Sequence, residues 1–346
     1  MRAEGAAGRY QEALWPEESV PGRVFSPGPP AVGVVVVSHN SAEHIGMCLR
    51  SLEAAAGDLP LRVVLVDNDS RDGTVNLARP AWPGLRVIEQ TENVGFARAV
   101  NQAAAVLNDC RHLLLLNPDA RMEAGSLKTL VAALDAAPRA AACGPRLRYP
   151  DGRHQISARP LPTLAGVVYD ALLLYHLTRC PDLVEQFPTG PDAAEVDCLS
   201  GACMLVHREC FDALEGLDER FFLYGEDVDL CARLKAMGRT LLVVPAAVVI
   251  HVEGASTFKD RALFFREVHR ARSQYVRKHF APLDAALAIA AQVMGLAARG
   301  FLYPIGPLLG RPDVRAHARH QWAAAATVLR PGSGRPRGAV LPKKAR

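Results

Sequence analysis

Val32-Gly33-Val34-Val35-Val36-Val37-Ser38-His39-Asn40 is the stretch that decides the fold. Its apolar part is almost wholly β-branched, the mark of a strand buried on both faces. It ends abruptly in three polar residues, and residues 45–56 then place Ile45, Leu49 and Leu52 at helical spacings of four and three. The alternation continues downstream. Residues 61–66 read as a second buried strand ending at Asp67, and 74–78 as a short helix. Residues 85–89 read as a third strand, 96–107 as an Ala-rich helix, 112–116 as a fourth strand, and 125–136 as a helix closed by Pro138. This rhythm predicts an α/β fold with a mostly parallel sheet and helices on both faces. Right-handed crossovers put every strand-to-helix turn on one rim. Ser38-His39-Asn40, Asp67-Asn68-Asp69 and Asn117-Pro118-Asp119 are therefore expected to converge on one cleft, where open α/β sheets bind ligands.

The second half changes character. Residues 197–207 read as a strand interrupted by Ser200-Gly201, and 226–237 as a helix ended by Gly238. Residues 240–244 and 247–251 read as two strands split by Pro245, and 262–279 as a charged amphipathic helix. The run 285–298 is apolar but shorter than the roughly 20 residues a membrane-spanning helix needs. It leaves two readings open, contact with a membrane surface or packing on the core. Residues 311–346 are basic and rich in Gly and Pro, a tail that either holds anionic lipid or is disordered. Residues 1–30 read as a mobile extension with no apolar signal core, so export is not expected.

The 346 residues are 49% hydrophobic and 22% charged, ordinary for a globular protein, and a net charge of +4 is too mild to argue for nucleic acid. The 8 cysteines contain no Cys-x-x-Cys pair, which points to buried thiols in a reducing cytoplasm rather than to disulfides or zinc.

Several motifs carry chemistry. In Tyr224-Gly225-Glu226-Asp227-Val228-Asp229 an acidic pair opens a helix after an aromatic run, placed to take a proton from a substrate hydroxyl. Asp119 follows a buried strand tip and suits a hard cation such as Mg²⁺ or Mn²⁺ that also binds phosphate oxygens. His251 ends an apolar strand, where a histidine is structural, completes a metal site or touches a phosphate. Asp67 is placed to accept from a base N–H or a ribose hydroxyl. Asn40 can cap the helix that follows it, and Asp69 or Ser70 the next one. Glu92-Asn93-Val94-Gly95-Phe96 sets a glycine before a helix whose amides suit a diphosphate, with Arg98 and Asn101 on one helix face. The Asp-rich segment 67–74 fails as an EF-hand, because Arg71 falls on a ligand position and Asp72 on the required glycine. Neither a dinucleotide Gly-x-Gly-x-x-Gly nor a Walker loop is present.

Taken in order, Val37-Ser38-His39-Asn40, Val66-Asp67-Asn68-Asp69-Ser70, Asn93-Val94-Gly95-Phe96, Leu116-Asn117-Pro118-Asp119 and Gly216-Leu217-Asp218-Glu219-Arg220-Phe221-Phe222 running into Tyr224-Gly225-Glu226-Asp227 resemble family 2 glycosyltransferases of the GT-A fold. The resemblance spans residues 32–280. It implies a GT-A domain over 31–280, with a nucleotide-binding half (31–140) and an acceptor half (141–280). An apolar helical segment (281–310) and the basic tail follow. It implies a metal on Asp119 with His251, a base at Asp227 beside Glu226, and donor contacts from Ser38, His39, Asn40, Asp67, Asn68, Asn93, Gly95, Arg98 and Asn117. Ser200, Gly201 and Tyr224 would face the acceptor. The segment 156–163 and the loop Leu199-Ser200-Gly201-Ala202-Cys203 look like those of rhamnosyltransferases acting on lipid-linked wall precursors. The expected donor is then a dTDP- or UDP-sugar, and the acceptor a glycan or polyprenyl-diphosphate-linked glycan. The expected place is the cytoplasm, at the inner face of the plasma membrane. His39 and Cys198 depart from the usual aromatics at their positions. A nucleotidyltransferase would carry a Gly-rich basic loop after the first strand, which Ser38-His39-Asn40-Ser41-Ala42-Glu43 lacks. An inactive scaffold is opposed by the presence of Asp119, Glu226 and Asp227.

Overall fold

The computed structural model describes residues 31–173, 185–188, 190–252, 261–302 and 314–330. The expected N-terminal extension and the last part of the basic tail, 331–346, lie outside the described residues.

The first half runs β1 (Val32–Ser38), α1 (Ile45–Ala56), β2 (Leu61–Asp67), α2 (Thr74–Ala81), β3 (Arg86–Glu89), α3 (Phe96–Val106), β4 (His112–Leu116), β5 (Ala120–Met122), α4 (Ser126–Asp135) and β6 (Ala140–Arg148). Two short strands, β7 (His154–Gln155) and β8 (Ala158–Arg159), lead to α5 (Leu164–Ala171). After them come β9 (Ala194–Val196), β10 (Cys198–Leu199), β11 (Cys203–His207), α6 (Arg208–Ala213), α7 (Glu226–Ala236) and β12 (Thr240–His251). Three helices close the chain, α8 (Arg261–His279), α9 (Pro282–Leu302) and α10 (Val314–Leu329).

The main sheet has the order β3-β2-β1-β4-β11-β6-β12-β5. β3, β2, β1 and β4 are parallel, and β6 and β12 share their direction because β11 is antiparallel to both β4 and β6. The expected mostly parallel sheet is therefore present, with β11 and β5 reversed. Alternate residues of β1 feed two cores, as the two-residue period of a strand requires. Val32, Val34 and Val36 pack with α1, α2 and α4, whereas Val35 and Val37 pack with α3 and α7. The seven described cysteines are free and buried, as expected.

Three expectations change. Residues 240–251 form one strand rather than two. Pro245, lacking an N–H, is absorbed in an irregularity between Val244 and Val248, after which pairing with β6 resumes. The apolar run near residue 290 belongs to a helix of 21 residues, longer than its apolar core because Pro282 starts it and the flanking polar residues continue it. The residues read as a basic tail contain α10, whose Ala324, Ala325 and Val328 pack with Leu296 of α9. Close approach is possible because α9 carries glycine where its neighbours touch. A Cβ at Gly295 would lie 2.0 Å from the Ala171 carbonyl oxygen, and one at Gly300 2.7 Å from the Trp322 ring nitrogen.

Candidate active site

Strand pairing brings the metal candidates together. β5 runs antiparallel to β12 with His251 opposite Ala120, and the Val252 N–H donates to the Asp119 carbonyl at 3.2 Å. His251 Nε2 thereby lies 3.3 Å from Asp119 Oδ1, with both side chains less than a tenth exposed. Gln155 Oε1 sits 3.2 Å from His251 Nδ1, and with the ring proton on Nδ1 the imidazole offers Nε2 as an acceptor. Asn117 Nδ2, 3.4 Å away, approaches that same acceptor as a donor. Asp119 Oδ1 and His251 Nε2 are then two acceptors in near contact. A divalent cation bound at about 2.1 Å by both in cis positions would set them about 3.0 Å apart, so the donor set and spacing fit a cation.

Asp227 stands at the first turn of α7, behind Gly225 in the left-handed region at φ 80°. Its Oδ1 accepts from the Val228 N–H at 2.8 Å and its Oδ2 from the Gly201 N–H at 3.1 Å. The adjoining Ala202 carbonyl accepts from the Asn117 N–H at 2.9 Å. The Ser200–Ala202 loop thus bridges Asp227 on one side and the Asn117-Pro118-Asp119 turn on the other.

One segment braces both groups. Gln155 orients His251, the Ser157 carbonyl accepts from the Ser200 N–H at 3.0 Å, and Arg159 Nη2 lies 3.7 Å from Asp227 Oδ2. Gln155 and Arg159 were not among the residues singled out from sequence. Arg159 falls in the segment noted for its rhamnosyltransferase likeness, but Gln155 carries no signal of its own, since only the strand pairing places it.

With that geometry in view, the family described as "Glycosyltransferase like family 2" matches residues 29–275. The chain belongs to glycosyltransferase family 2. It is 35% identical over 250 residues to N-acetylglucosaminyl-diphospho-decaprenol L-rhamnosyltransferase of Mycobacterium tuberculosis (strain ATCC 25618 / H37Rv), a match covering 69% of this chain and 81% of that protein. It is 28% identical over 248 residues to rhamnosyltransferase WbbL of Escherichia coli (strain K12), covering 69% and 88%. Among solved structures, the mannosyltransferase PcManGT from Pyrobaculum calidifontis, in complex with GDP-Man and Mn²⁺, superposes with a TM-score of 0.51 at 20% identity over 93% of this chain and 92% of the other. GalNAc-T7 with UDP, GalNAc and Mn²⁺ gives 0.53 at 17% identity over 86% and 55%. These two share the fold, the GT-A architecture that the motif order implied.

In this glycosyltransferase the nucleotide-side candidates form one hydrogen-bonded cluster. The Ser38 hydroxyl donates to Asp67 Oδ1 at 2.7 Å and the Ser70 N–H to Asp67 Oδ2 at 2.9 Å. His39 Nδ1 contacts the Asn68 carbonyl at 2.6 Å. Asn68 Nδ2 donates to the Gly95 carbonyl at 3.3 Å, while its buried Oδ1 has no hydrogen-bond partner among the described residues. Asn40 does not cap α1. Held at φ 54°, it accepts instead from the Arg71 N–H at 2.9 Å. Neither Asp69 nor Ser70 caps α2, because Asp72 takes the Thr74 N–H at 3.1 Å.

The helix that follows Gly95 departs from expectation at its first amides. Asn93 Oδ1 accepts from the Gly95 N–H at 2.9 Å, and the Phe222 carbonyl accepts from the Phe96 N–H at 2.8 Å. Gly95 lies at φ 88°, and a Cβ there would meet the Phe222 carbonyl oxygen at 2.7 Å, so this close approach admits only glycine. Arg98 lies 4.0 Å from Glu219 and Asn101 donates to the Leu217 carbonyl at 2.8 Å, so this helix face holds the 216–219 loop. Tyr224, expected to face the acceptor, sits at φ 68°, its ring edge-on to Phe264 at 5.4 Å.

Glu226 differs from its neighbour. It is buried, its Oε2 has no hydrogen-bond partner among the described residues, and burial followed by the adjacent Asp227 charge pushes its pKa up to about 8. A carboxyl with a raised folded pKa contributes its stability below the unfolded value near 4.5, and that contribution is lost as pH rises through about 8. Glu226→Gln, which cannot ionise, is therefore expected to match the wild type near pH 5 and to exceed it by about 1–4 kcal/mol at pH 9. Thermal denaturation at both pH values checks this. A difference that does not grow with pH contradicts a protonated Glu226.

Proposed function

We propose that this glycosyltransferase moves rhamnose from a dTDP- or UDP-linked donor to a hydroxyl of a polyprenyl-diphosphate-linked glycan, with inversion and with Mg²⁺ or Mn²⁺ bound. The observation that carries the reading is the placement of the Asp119–His251 pair and Asp227 on two sides of the Ser200–Ala202 loop. Two relatives named as rhamnosyltransferases, one of them for a diphospho-decaprenol acceptor, support the choice of sugar and of acceptor.

In this reading Asp227 accepts the proton of the acceptor hydroxyl, and that oxygen attacks the anomeric carbon from the face opposite the diphosphate. The bond from the anomeric carbon to the diphosphate oxygen breaks, and its electron pair leaves with the nucleotide diphosphate. Glu226, which keeps its proton to about pH 8, is a poor base at neutral pH, so the role falls to Asp227. Asp119 and His251 would hold the cation, which when bound would supply positive charge that stabilises a leaving diphosphate. Ser38, His39, Asn40, Asp67 and Asn68 face the nucleotide, Asn93, Gly95 and Asn117 shape the donor side, and Ser200, Gly201 and Tyr224 the acceptor side. Arg98, half-exposed and 4.0 Å from Glu219, stands on the donor side.

The lipid-linked acceptor calls for work at a membrane surface, at the cytoplasmic face. Leu283, Leu287, Met294 and Phe301 form one exposed apolar stripe on α9, while Ala285, Ala288 and Leu296 face the protein. Among the described residues α9 alone is long and apolar enough to cross a membrane, and its packed face favours lying in the interface.

The test is thermal denaturation with nucleotide diphosphates and nucleotide sugars, with Mn²⁺, Mg²⁺ or EDTA, repeated with vesicles carrying a polyprenyl-diphosphate glycan to score transfer. A ligand at 100 times its Kd adds about 2.7 kcal/mol. A dTDP- or UDP-specific gain that EDTA removes, followed by rhamnosyl transfer, is the expected result. Stabilisation by none of these nucleotides in a folded protein overturns it.

A further inference from the structure

The rim opposite the cleft holds a second group of metal-competent side chains. His112 begins β4 and His207 ends β11, and the antiparallel register places them opposite each other, with ring centroids 4.9 Å apart. Asp135, the last residue of α4, approaches His112 Nε2 with Oδ1 at 3.1 Å. One ligand atom from each of the three lies within 4.8 Å of the others. His112 is completely buried; among the described residues its Nδ1 has no hydrogen-bond partner, and its Nε2 meets only the Asp135 carboxylate. Leaving such a polar group unsatisfied costs free energy that a bound ion would recover.

We propose that His112, His207 and Asp135 form a second metal site, for a zinc-class ion, separate from the Asp119–His251 pair. Two imidazoles and a carboxylate are the ligand set of a three-residue zinc site, and imidazole favours zinc-class ions over Mg²⁺. A tetrahedral site with bonds of 2.0–2.1 Å spaces its ligands by about 3.4 Å. Closing the widest separation therefore takes about 1.4 Å of movement, within reach of the half-buried His207 and the exposed Asp135. The same exposure leaves a fourth position for water. Arg111 Nη2 holds Asp135 Oδ1 at 2.9 Å, so the ion engages the other carboxylate oxygen or displaces this largely exposed guanidinium. Burial holds the His112 ring down to about 4 and His207 below its ordinary value, so both rings are neutral at pH 7 and offer a lone pair. The length of β4, about 13 Å at 3.3 Å per residue, separates this group from the cleft. The ion would tie α4 to β4 and β11, where the parallel half of the sheet meets its reversed strand.

The test is Zn²⁺ and Co²⁺ titration of the full chain and of His207→Ala, Asp135→Asn and Asp119→Ala, by calorimetry, by Co²⁺ absorption and by thermal denaturation. Asp119→Ala, which removes the cleft pair, is expected to bind one equivalent with tetrahedral-type Co²⁺ bands and a Tm gain of about 5 °C, and the wild type to show those same bands in addition to any ion held at the cleft. His207→Ala and Asp135→Asn are expected to lose at least ~100-fold in affinity. Two variants guard against one failing to fold, since a folded fraction of either suffices for the titration. No binding by the wild type, or binding unchanged in both variants, overturns the proposal. So does loss only in Asp119→Ala, which assigns the ion to the cleft.

Discussion

Asp227→Asn is expected to lower turnover by about 10²–10⁴, the usual contribution of a general base, while leaving metal-dependent nucleotide binding within a few-fold of wild type. The substitution keeps the shape of the side chain and one carbonyl oxygen able to accept the Gly201 or Val228 N–H, so the loop stays attached to α7. What is lost is the capacity to take a proton. The amide also removes a negative charge beside Glu226, which relaxes one cause of that residue's raised pKa. A second carboxyl released near neutral pH could then support slow turnover, with a rate rising from pH 6 to 9. Single-turnover rates and nucleotide affinities, measured side by side across that range, check the claim. Near-wild-type turnover removes Asp227 from the mechanism, and equal losses of turnover and nucleotide binding move its role to the donor site.

The second large effect concerns folding. Asp229, two residues further along α7, is fully buried and binds two cationic side chains and an imidazole. Oδ1 accepts from His279 Nε2 and Lys278 Nζ, both at 2.7 Å, and Oδ2 from Arg233 Nε at 2.8 Å. Burial opposes its charge, yet hydrogen bonds from His279 and Lys278 hold its carboxyl below the usual range. Because that folded pKa is lowered, the stability it contributes is present above the unfolded value and is lost as pH falls through the folded one. Asp229→Ala leaves Arg233, Lys278 and His279 converging on an empty, partly buried space, and breaking such a set by removing one partner costs about 3–5 kcal/mol. At roughly 2–4 °C per kcal/mol for a chain of this size, Tm is expected to fall by about 6–20 °C. α8 would then no longer be pinned against the helix that carries Glu226 and Asp227. Calorimetric unfolding at pH 7 decides it, and a loss under about 1 kcal/mol would show the charges to be solvated rather than coupled.

The elements with strong periodicity were legible from residues alone. β1, β2 and β4 announce themselves as apolar runs, and α1 by its Ile45, Leu49 and Leu52 spacing. The candidate residues were legible as well, because Asp119, Asp227 and His251 stand where apolar runs stop. The short pieces were not. β5, β7, β8 and β9 span two or three residues each and have no period to read, and α10 hides in a stretch whose basic composition resembles a tail.

By itself, then, the sequence determined a mostly parallel α/β sheet, its binding rim, and which polar side chains stand at that rim, because local burial and strand period are written in neighbouring residues. Only the tertiary structure decided which of them meet. His251 reaches Asp119 through the antiparallel register of β12 with β5, and Gln155 and Arg159 reach the site through strands too short to predict. Asn40 is turned from a helix cap to a brace for Arg71 by the β1–β2 pairing. Those contacts join residues 31 to 132 positions apart. Their partners are chosen by the packing of the whole sheet, which no local pattern encodes.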